Sequence, residues 1–260
     1  MPVVPRHTLA YTQHCGNNPG QQDALWVGSQ VFQQRNLPPS ALDSEDPCVW
    51  AAVADGLADS PHSERASRFV LQALAAHKAA GALCTARLVR QVQAELCDAL
   101  ARAITHGAST TLALAACSAE RCTLVHVGDS RVYRIASDGQ WQQLTRDHTQ
   151  LQRMIDDGEA KEDFEYATIY NVLESCLAAD GEETDFSVGC CSTQLAPGDA
   201  LLLCTDGVHD TLGAHLQTLH NPQFAPLAQV QAWRRAVLQR GAPDNFSMVL
   251  VQRKRAANPS

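Results

Sequence analysis

Short apolar runs bounded by turn residues mark strands at 48–54 (CVWAAVA), 110–117 (TTLALAAC), 122–129 (CTLVHVGD), 131–135 (RVYRI), 141–145 (WQQLT), 199–205 (DALLLCT) and 246–252 (FSMVLVQ). Residues 23–33 (DALWVGSQVFQ) read as one further strand. A helical period takes over at 63–80, where Ala66, Phe69, Val70, Ala73 and Leu74 share a face, until Gly81 interrupts it. The next helix carries Leu88, Val92, Leu96, Ala99 and Ala103 at helical spacing, and the period returns at 148–158 and near 227–240. The linkers SAER, DS and ASDGQ that separate the strands between 110 and 145 suit meander turns. Strands and helices thus come in blocks joined by hairpins, unlike the strict alternation of a doubly wound parallel sheet. The expected fold class is α+β: a four-layer αββα sandwich of two antiparallel sheets packed face to face, with helices on both outer sides. No internal repeat or low-complexity linker divides the chain, so residues 1–260 are expected to form one domain.

Composition narrows the classes. The chain is 45% hydrophobic and 18% charged, as suits a compact globular protein. No segment approaches the ~18 uncharged apolar residues of a membrane span, and the N-terminal residues lack the charged-then-apolar order of a signal peptide. The expected location is the cytoplasm, and the expected state a monomer. Ten cysteines include no CxxC pair, and Cys48, Cys117, Cys122 and Cys204 sit in or beside apolar runs, so reduced core thiols are expected rather than a zinc site. A formal charge of −8 speaks against nucleic-acid binding. The one dense basic run, Arg253–Arg255, reads as a solvated tail. An anionic substrate would therefore need something other than net charge to draw it in.

Five acids stand at strand boundaries. Asp55-Gly56 ends CVWAAVA, Asp129 ends CTLVHVG, Asp206-Gly207 follows ALLLCT, Asp244 precedes FSMVLVQ, and Asp23 opens ALWV. Asp-Gly is a common turn dipeptide and Asp a common helix cap, so each alone is unremarkable. Gathered at the ends of central strands, however, such carboxylates would repel unless cations sat between them, and hard ions such as Mg²⁺ or Mn²⁺ are the natural guests. Spacing alone does not bring the five together.

Nine motifs, in order, supply that link: QQDA (21–24), VADG (53–56), ERAS (64–67), GASTTLALA (107–115), GDSRVYRI (128–135), LTRDHT (144–149), NVLESCL (171–177), PGDALLLCTDGVHDTL (197–212) and PDNFSMVLV (243–251). With them the chain resembles the metal-dependent PP2C-type Ser/Thr protein phosphatases, the bacterial branch in particular, over about residues 10–252. The resemblance implies two Mn²⁺ or Mg²⁺ ions bridged by a water or hydroxide at one end of the sandwich. Asp55 would bridge them, with the Gly56 carbonyl, Asp206 and Asp244 on one ion and Asp23 supporting the second, directly or through water. Asp129 matches the acid that, with Asp206, holds a third, weaker ion in these enzymes. The implied reaction is hydrolysis of phosphoserine or phosphothreonine on proteins, opposing a bacterial Ser/Thr kinase. Residues 147–180 match the family's flap, and 253–260 would form a disordered tail.

The pattern breaks in three places. Five residues before Asp23 the family has a phosphate-gripping arginine, where this chain has Asn18. An amide donates hydrogen bonds but lacks a bidentate cationic fork. Arg6, His14 and Arg65 are the available substitutes. Gln22 replaces a common acid, as in some bacterial relatives. In the loop after Gly56 two family glycines become Ala58 and Asp59, and the family histidine becomes Ser60. His62, two residues on, is either a proton donor or a surface histidine at a helix start. Asp59 is either an added ligand or a loop acid favoured by a helix dipole. These departures keep open an alternative function, that of a catalytically weak binding or sensor module.

Overall fold

The computed structural model describes residues 6–255, apart from 162, 163, 165, 167 and 182–185. Among them, β1 (His7–His14), β2 (Ala24–Val27), β3 (Gln30–Phe32), β4 (Asn36–Ser44) and β5 (Cys48–Ala54) come first, followed by helices α1 (Ser63–Ala79) and α2 (Ala86–Leu100). Strands β6 (Ser109–Thr110), β7 (Leu112–Ser118), β8 (Cys122–Val127), β9 (Arg131–Ile135) and β10 (Trp141–Gln143) lead to α3 (Gln150–Asp156). Then come β11 (Leu177–Ala178), β12 (Gly189–Thr193), β13 (Ala200–Cys204), α4 (Asp206–Leu212), α5 (His215–Thr218), α6 (Pro226–Gln239) and β14 (Phe246–Arg253). One six-stranded antiparallel sheet has the order β10-β9-β13-β14-β1-β4, and the other β12-β8-β7-β5-β2-β3.

The unbroken apolar strands follow from burial on both faces, because successive side chains of a strand point to opposite sides. In β5, Val49, Ala51 and Val53 enter the core between the sheets, where they meet Leu201, Leu203, Val249 and Val251. Trp50, Ala52 and Ala54 face the other way and pack with Val70, Leu74, Val92 and Leu96 of α1 and α2. On the opposite sheet, Leu202 and Cys204 pack outward against Val230, Trp233 and Val237 of α6. Three apolar layers between four structural layers make the αββα sandwich, as the sequence pattern implied.

Several details differ from the sequence reading. Residues 23–33 form a hairpin, not one strand: Gly28, at φ 62, turns β2 into β3. Strand β1 carries no apolar signature because three of its buried residues, His7, Thr12 and Gln13, are polar. Helix α2 ends at Leu100, and Ala103 lies beyond it in a left-handed conformation at φ 43. The Arg253–Arg255 run is not a free tail. Arg253 closes β14 and donates to the Leu195 carbonyl; the Lys254 amide donates to the Arg6 carbonyl at 2.9 Å, and its ammonium pairs with Asp43 at 2.7 Å. Residues 256–260 of the expected tail lie outside the described residues, as do four positions of the expected flap. Among the described residues no helix is long and apolar enough to cross a membrane.

Candidate metal centre

The β2–β5 register pairs Ala24 with Ala54, so the next step along the ladder sets Asp23 beside Asp55. In the facing sheet, β13 pairs with β14 (Cys204 with Met248), which places Asp206 and Asp244 at the same end of that pair. Five strand ends thus deliver five carboxylates to one end of the sandwich. The Asp55 carboxylate interacts with those of Asp206, Asp23 and Asp129, and Asp206 in turn with Asp244.

Each acid is held by the fold beneath it. The Asp55 backbone is fixed by Thr111: its N–H donates to Thr111 Oγ1 at 3.0 Å, and its carbonyl accepts from the Thr111 amide at 2.8 Å and from Thr110 Oγ1 at 2.8 Å. Gly56 lets the Gln22 strand approach, since a Cβ here would lie 2.8 Å from the Gln22 carbonyl oxygen. Gly207 does the same at the start of α4, where a Cβ would lie 1.9 Å from the Asn245 carbonyl oxygen. Asp23 is wholly buried. Its Oδ2 accepts from Thr205 Oγ1 at 2.9 Å and Ser247 Oγ at 2.8 Å, and Gln13 Nε2 donates to that serine at 2.9 Å. Asp244 Oδ1 accepts from the Asn245 amide and from Asn18 Nδ2, both at 2.6 Å. Asn245 also ties the 15–22 loop down, accepting from the Gln22 amide at 2.6 Å and donating to the Cys15 carbonyl at 2.8 Å.

The electrostatics are those of crowded anions. Burial first, then Asp206 and Asp23, holds the Asp55 carboxyl well above the usual carboxylate range. Burial, with Asp206 adding to it against the Ser247 hydrogen bond, raises Asp23 to about 7. Burial and Asp206 likewise raise Asp129 to about 7. Among the described residues Asp23 Oδ1 is buried with no hydrogen-bond partner. A buried lone oxygen among like charges is what a hard divalent cation would satisfy, so the donor set fits Mn²⁺ or Mg²⁺. Among the described residues no three carboxylate, imidazole or thiol groups stand as a closed ligand set; the acids are linked through Asp55 and Asp206.

Beside the acids opens a cleft of about 580 Å³, lined among others by Asp129, Asp206, Asp210, Arg131, Arg146 and Asp147. Arg131 forks onto Asp147, with Nε 3.0 Å and Nη2 2.6 Å from Oδ2, and so anchors the start of the flap segment to β9. Asp147 is only 10% exposed, so Arg131→Met leaves a nearly buried carboxylate unpaired. A loss of about 2–3 kcal/mol is expected, read by urea unfolding. His148 Nδ1 accepts from the Gly128 amide at 3.2 Å and seats the turn that bears Asp129; burial lowers its pKa to about 4, so it stays neutral as an acceptor.

The structure sorts the remaining sequence candidates. Asn18 is at the site, bonded to Asp244. His62 caps α1 in a left-handed conformation, φ 52, with Nδ1 3.4 Å from Glu64. Asp59 is exposed, as is Arg65 on α1. His14 stacks on Phe246 and its Nδ1 accepts from the Gly16 amide at 2.9 Å, while Arg6 lies past the far end of β1. The arginines that line the cleft are instead Arg131 and Arg146. Sequence reasoning also missed Gln13, Thr205 and Ser247 under Asp23, and His209, whose Nε2 lies 3.2 Å from the Asp129 carbonyl oxygen and whose Nδ1 lies 2.9 Å from Asp210.

Comparison with known proteins shows the family and the fold. The mycobacterial serine/threonine protein phosphatase PstP of Mycobacterium tuberculosis is 30% identical over 208 residues, covering 76% of this chain. The chain spans about two fifths of that relative's length, 39%. A crystal structure of the M. tuberculosis phosphatase PstP/Ppp superposes with a TM-score of 0.76 at 23% identity, over 96% of this chain and all of the other. That of Stp1 from Staphylococcus aureus gives 0.77 at 19% identity, over 95% of each chain. The family model described as protein phosphatase 2C matches residues 39–241, and this chain belongs to that family.

Proposed function

We propose that this chain hydrolyses phosphoserine and phosphothreonine on proteins, as a metal-dependent phosphatase that opposes a bacterial Ser/Thr kinase. The observation that carries this reading is the meeting of five strand-end aspartates beside an open cleft with two arginines. Asp55, the Gly56 carbonyl, Asp206 and Asp244 would hold one Mn²⁺ or Mg²⁺, and Asp55 with Asp23 the second. Asp129 and Asp206 would hold a third, weaker ion. The catalytic domain of PstP was crystallised with two manganese ions, which supports this assignment. Once bound, such ions would lower the pKa of a bound water and offset charge on the phosphoryl oxygens.

The chain's own residues do the rest. Thr111, Gly56 and Asn245 fix the acids in register, so little reorganisation is left for the reaction. Arg131 keeps the start of the flap segment, at Asp147, beside the cleft. Asn18 stands where the family places its phosphate-gripping arginine, and His62 is assigned as proton donor to the departing alkoxide from its place in the loop joining Asp55 to α1. The proposed unit is a single cytoplasmic, monomeric domain acting on a phosphorylated protein, with neither nucleic acid nor membrane as partner.

A rate comparison tests the substrate class. Release of phosphate from phosphoserine and phosphothreonine peptides, with a phosphotyrosine peptide of the same sequence far slower, is expected; equal rates on all three would remove the assignment. One observation favours a second reading, a weakly catalytic binding or sensor module: the Asn18 amide spends a hydrogen bond on Asp244 and offers no cation. Asn18→Arg separates the two. In the enzyme reading another group already grips phosphate, and kcat/KM changes less than about threefold; in the sensor reading it rises about tenfold or more, the worth of one charge-assisted contact.

A further inference from the structure

We propose that Cys117 and Cys122 form a redox-modification site, a thiol pair that closes reversibly into a disulfide when it meets a low-molecular-weight disulfide. The inference stands apart from the phosphatase reading, because it lies at the opposite end of β7 and β8 from the acids. The two strands form a tight hairpin in which Cys117 is directly opposite Cys122. One step nearer the turn, the Ser118 amide donates to the Arg121 carbonyl at 2.9 Å, so Ser118 and Arg121 are a hydrogen-bonded pair. The hydrogen-bonding pattern of an antiparallel ladder alternates, which makes Cys117 and Cys122 a non-hydrogen-bonded pair. In such pairs the Cα atoms stand about 4.5 Å apart and the side chains are closest. A disulfide accepts Cα separations of about 4.4–6.8 Å. Both side chains enter the core between the sheets, and their thiols are in hydrogen-bond contact.

The surroundings divide the labour. The Cys117 thiol as donor, and then the Arg253 guanidinium, hold the Cys122 thiol below the usual range against the effect of burial. The Arg253–Arg255 run thereby acquires a role at its first member. Cys117 is pushed well up by its contact with Cys122 and by burial. The Arg253 guanidinium acts on Cys122, which favours that thiol as the attacking thiolate with Cys117 resolving. The two cysteines adjacent in sequence are not placed to pair with each other. Cys190 and Cys191 are successive residues of β12 and face opposite sides of the sheet, and burial pushes Cys84 up to about 12. Cys117 and Cys122 are 1% and 0% exposed, so a small disulfide reaches them when the hairpin end opens locally, at a turn whose Glu120 and Arg121 are already exposed.

The step balances with oxidised glutathione as the oxidant. The Cys122 thiolate attacks one of its sulfurs, giving a mixed disulfide and one glutathione thiolate, which takes up a proton. Cys117 then loses its proton and attacks Cys122 Sγ, forming the protein disulfide and expelling the second glutathione. The chain loses two protons and two electrons, and the small disulfide becomes two thiols.

Peptide mapping of the full chain tests this without any substitution. Reduced protein, freed of reductant, is incubated with oxidised glutathione, its free thiols are alkylated, and a tryptic digest is examined without reduction. Cleavage at Arg102, Arg121 and Arg131 puts Cys117 alone in peptide 103–121 and Cys122 alone in 122–131. Expected is a linked species of these two peptides, two hydrogens lighter than their sum, that dithiothreitol separates. In Cys117→Ala, Cys122 is expected to stop at the mixed disulfide with glutathione. Recovery of both wild-type peptides unlinked and alkylated, while glutathione or a disulfide appears on other cysteines, would overturn the proposal.

Discussion

Asp55→Asn is expected to make the metal-free protein more stable and the enzyme inactive. The asparagine keeps the shape of the side chain while removing one charge from a group crowded by Asp206, Asp23 and Asp129. Relief of that repulsion and of the desolvation penalty is worth about 2 kcal/mol. For a chain of about this size that raises Tm by about 4–8 °C. The same substitution deletes the ligand assigned to both ions, so the rise in Tm that Mn²⁺ gives the parent protein should vanish. Partners that merely orient a ligand are worth about 10–100-fold, so losing the ligand itself should lower kcat/KM by more than about a hundredfold. Scanning calorimetry in chelator and in Mn²⁺, with rates on a phosphothreonine peptide, reads all three effects. A less stable metal-free variant that still gains stability from Mn²⁺ would remove Asp55 from the centre of the site.

The second large effect is a pH dependence with an unusual sign. An acid whose pKa is higher in the fold than in the unfolded chain holds its proton more tightly when folded. Its stabilising contribution is complete below the unfolded value near about 4 and is lost as pH rises through the folded value. Asp23 and Asp129, both raised to about 7, place that loss between about pH 4 and pH 7, with Asp55 and Asp206 shifted in the same direction. The Tm of metal-free protein should therefore fall by at least about 5 °C between pH 5.5 and pH 8. Saturating Mn²⁺ should flatten or reverse the slope, since cation binding is favoured by the ionised acids. A metal-free Tm that is level or rising over this interval would contradict the crowded-anion description.

Much of this was legible in the sequence, for identifiable reasons. Strands β5 and β13 are apolar on both faces because each lies between a facing sheet and a layer of helices, and that signal survives without any partner in view. The five acids were legible because each interrupts such a strand at its end, and the family motifs supplied their order. Strand β1 was not, because its buried Thr12 and Gln13 are satisfied by distant groups: Thr12 donates to the Leu37 carbonyl at 2.8 Å, and Gln13 donates to Ser247. The bend at Gly28 was hidden because Leu25 and Val27 on one side and Phe32 on the other keep an apolar tone across it. Spacing put Asn18 at the family's arginine position yet left its partner open, and that partner, Asp244, lies 226 residues away. His209 and Thr205 sit inside a motif that was read for Asp206, and Arg146 inside one quoted only for the family resemblance. Only tertiary contact separates residues that bear chemistry from those that hold them.

The most direct test of the two-metal centre is the rate of phosphate release from a phosphothreonine peptide by chelator-treated protein as Mn²⁺ is titrated in. Negligible release without the ion, a saturable rise with it, and no rise in Asp206→Asn are the expected results. A parent rate that does not depend on Mn²⁺, Mg²⁺ or any other divalent ion, or an Asp206→Asn rate equal to the parent's, would contradict it.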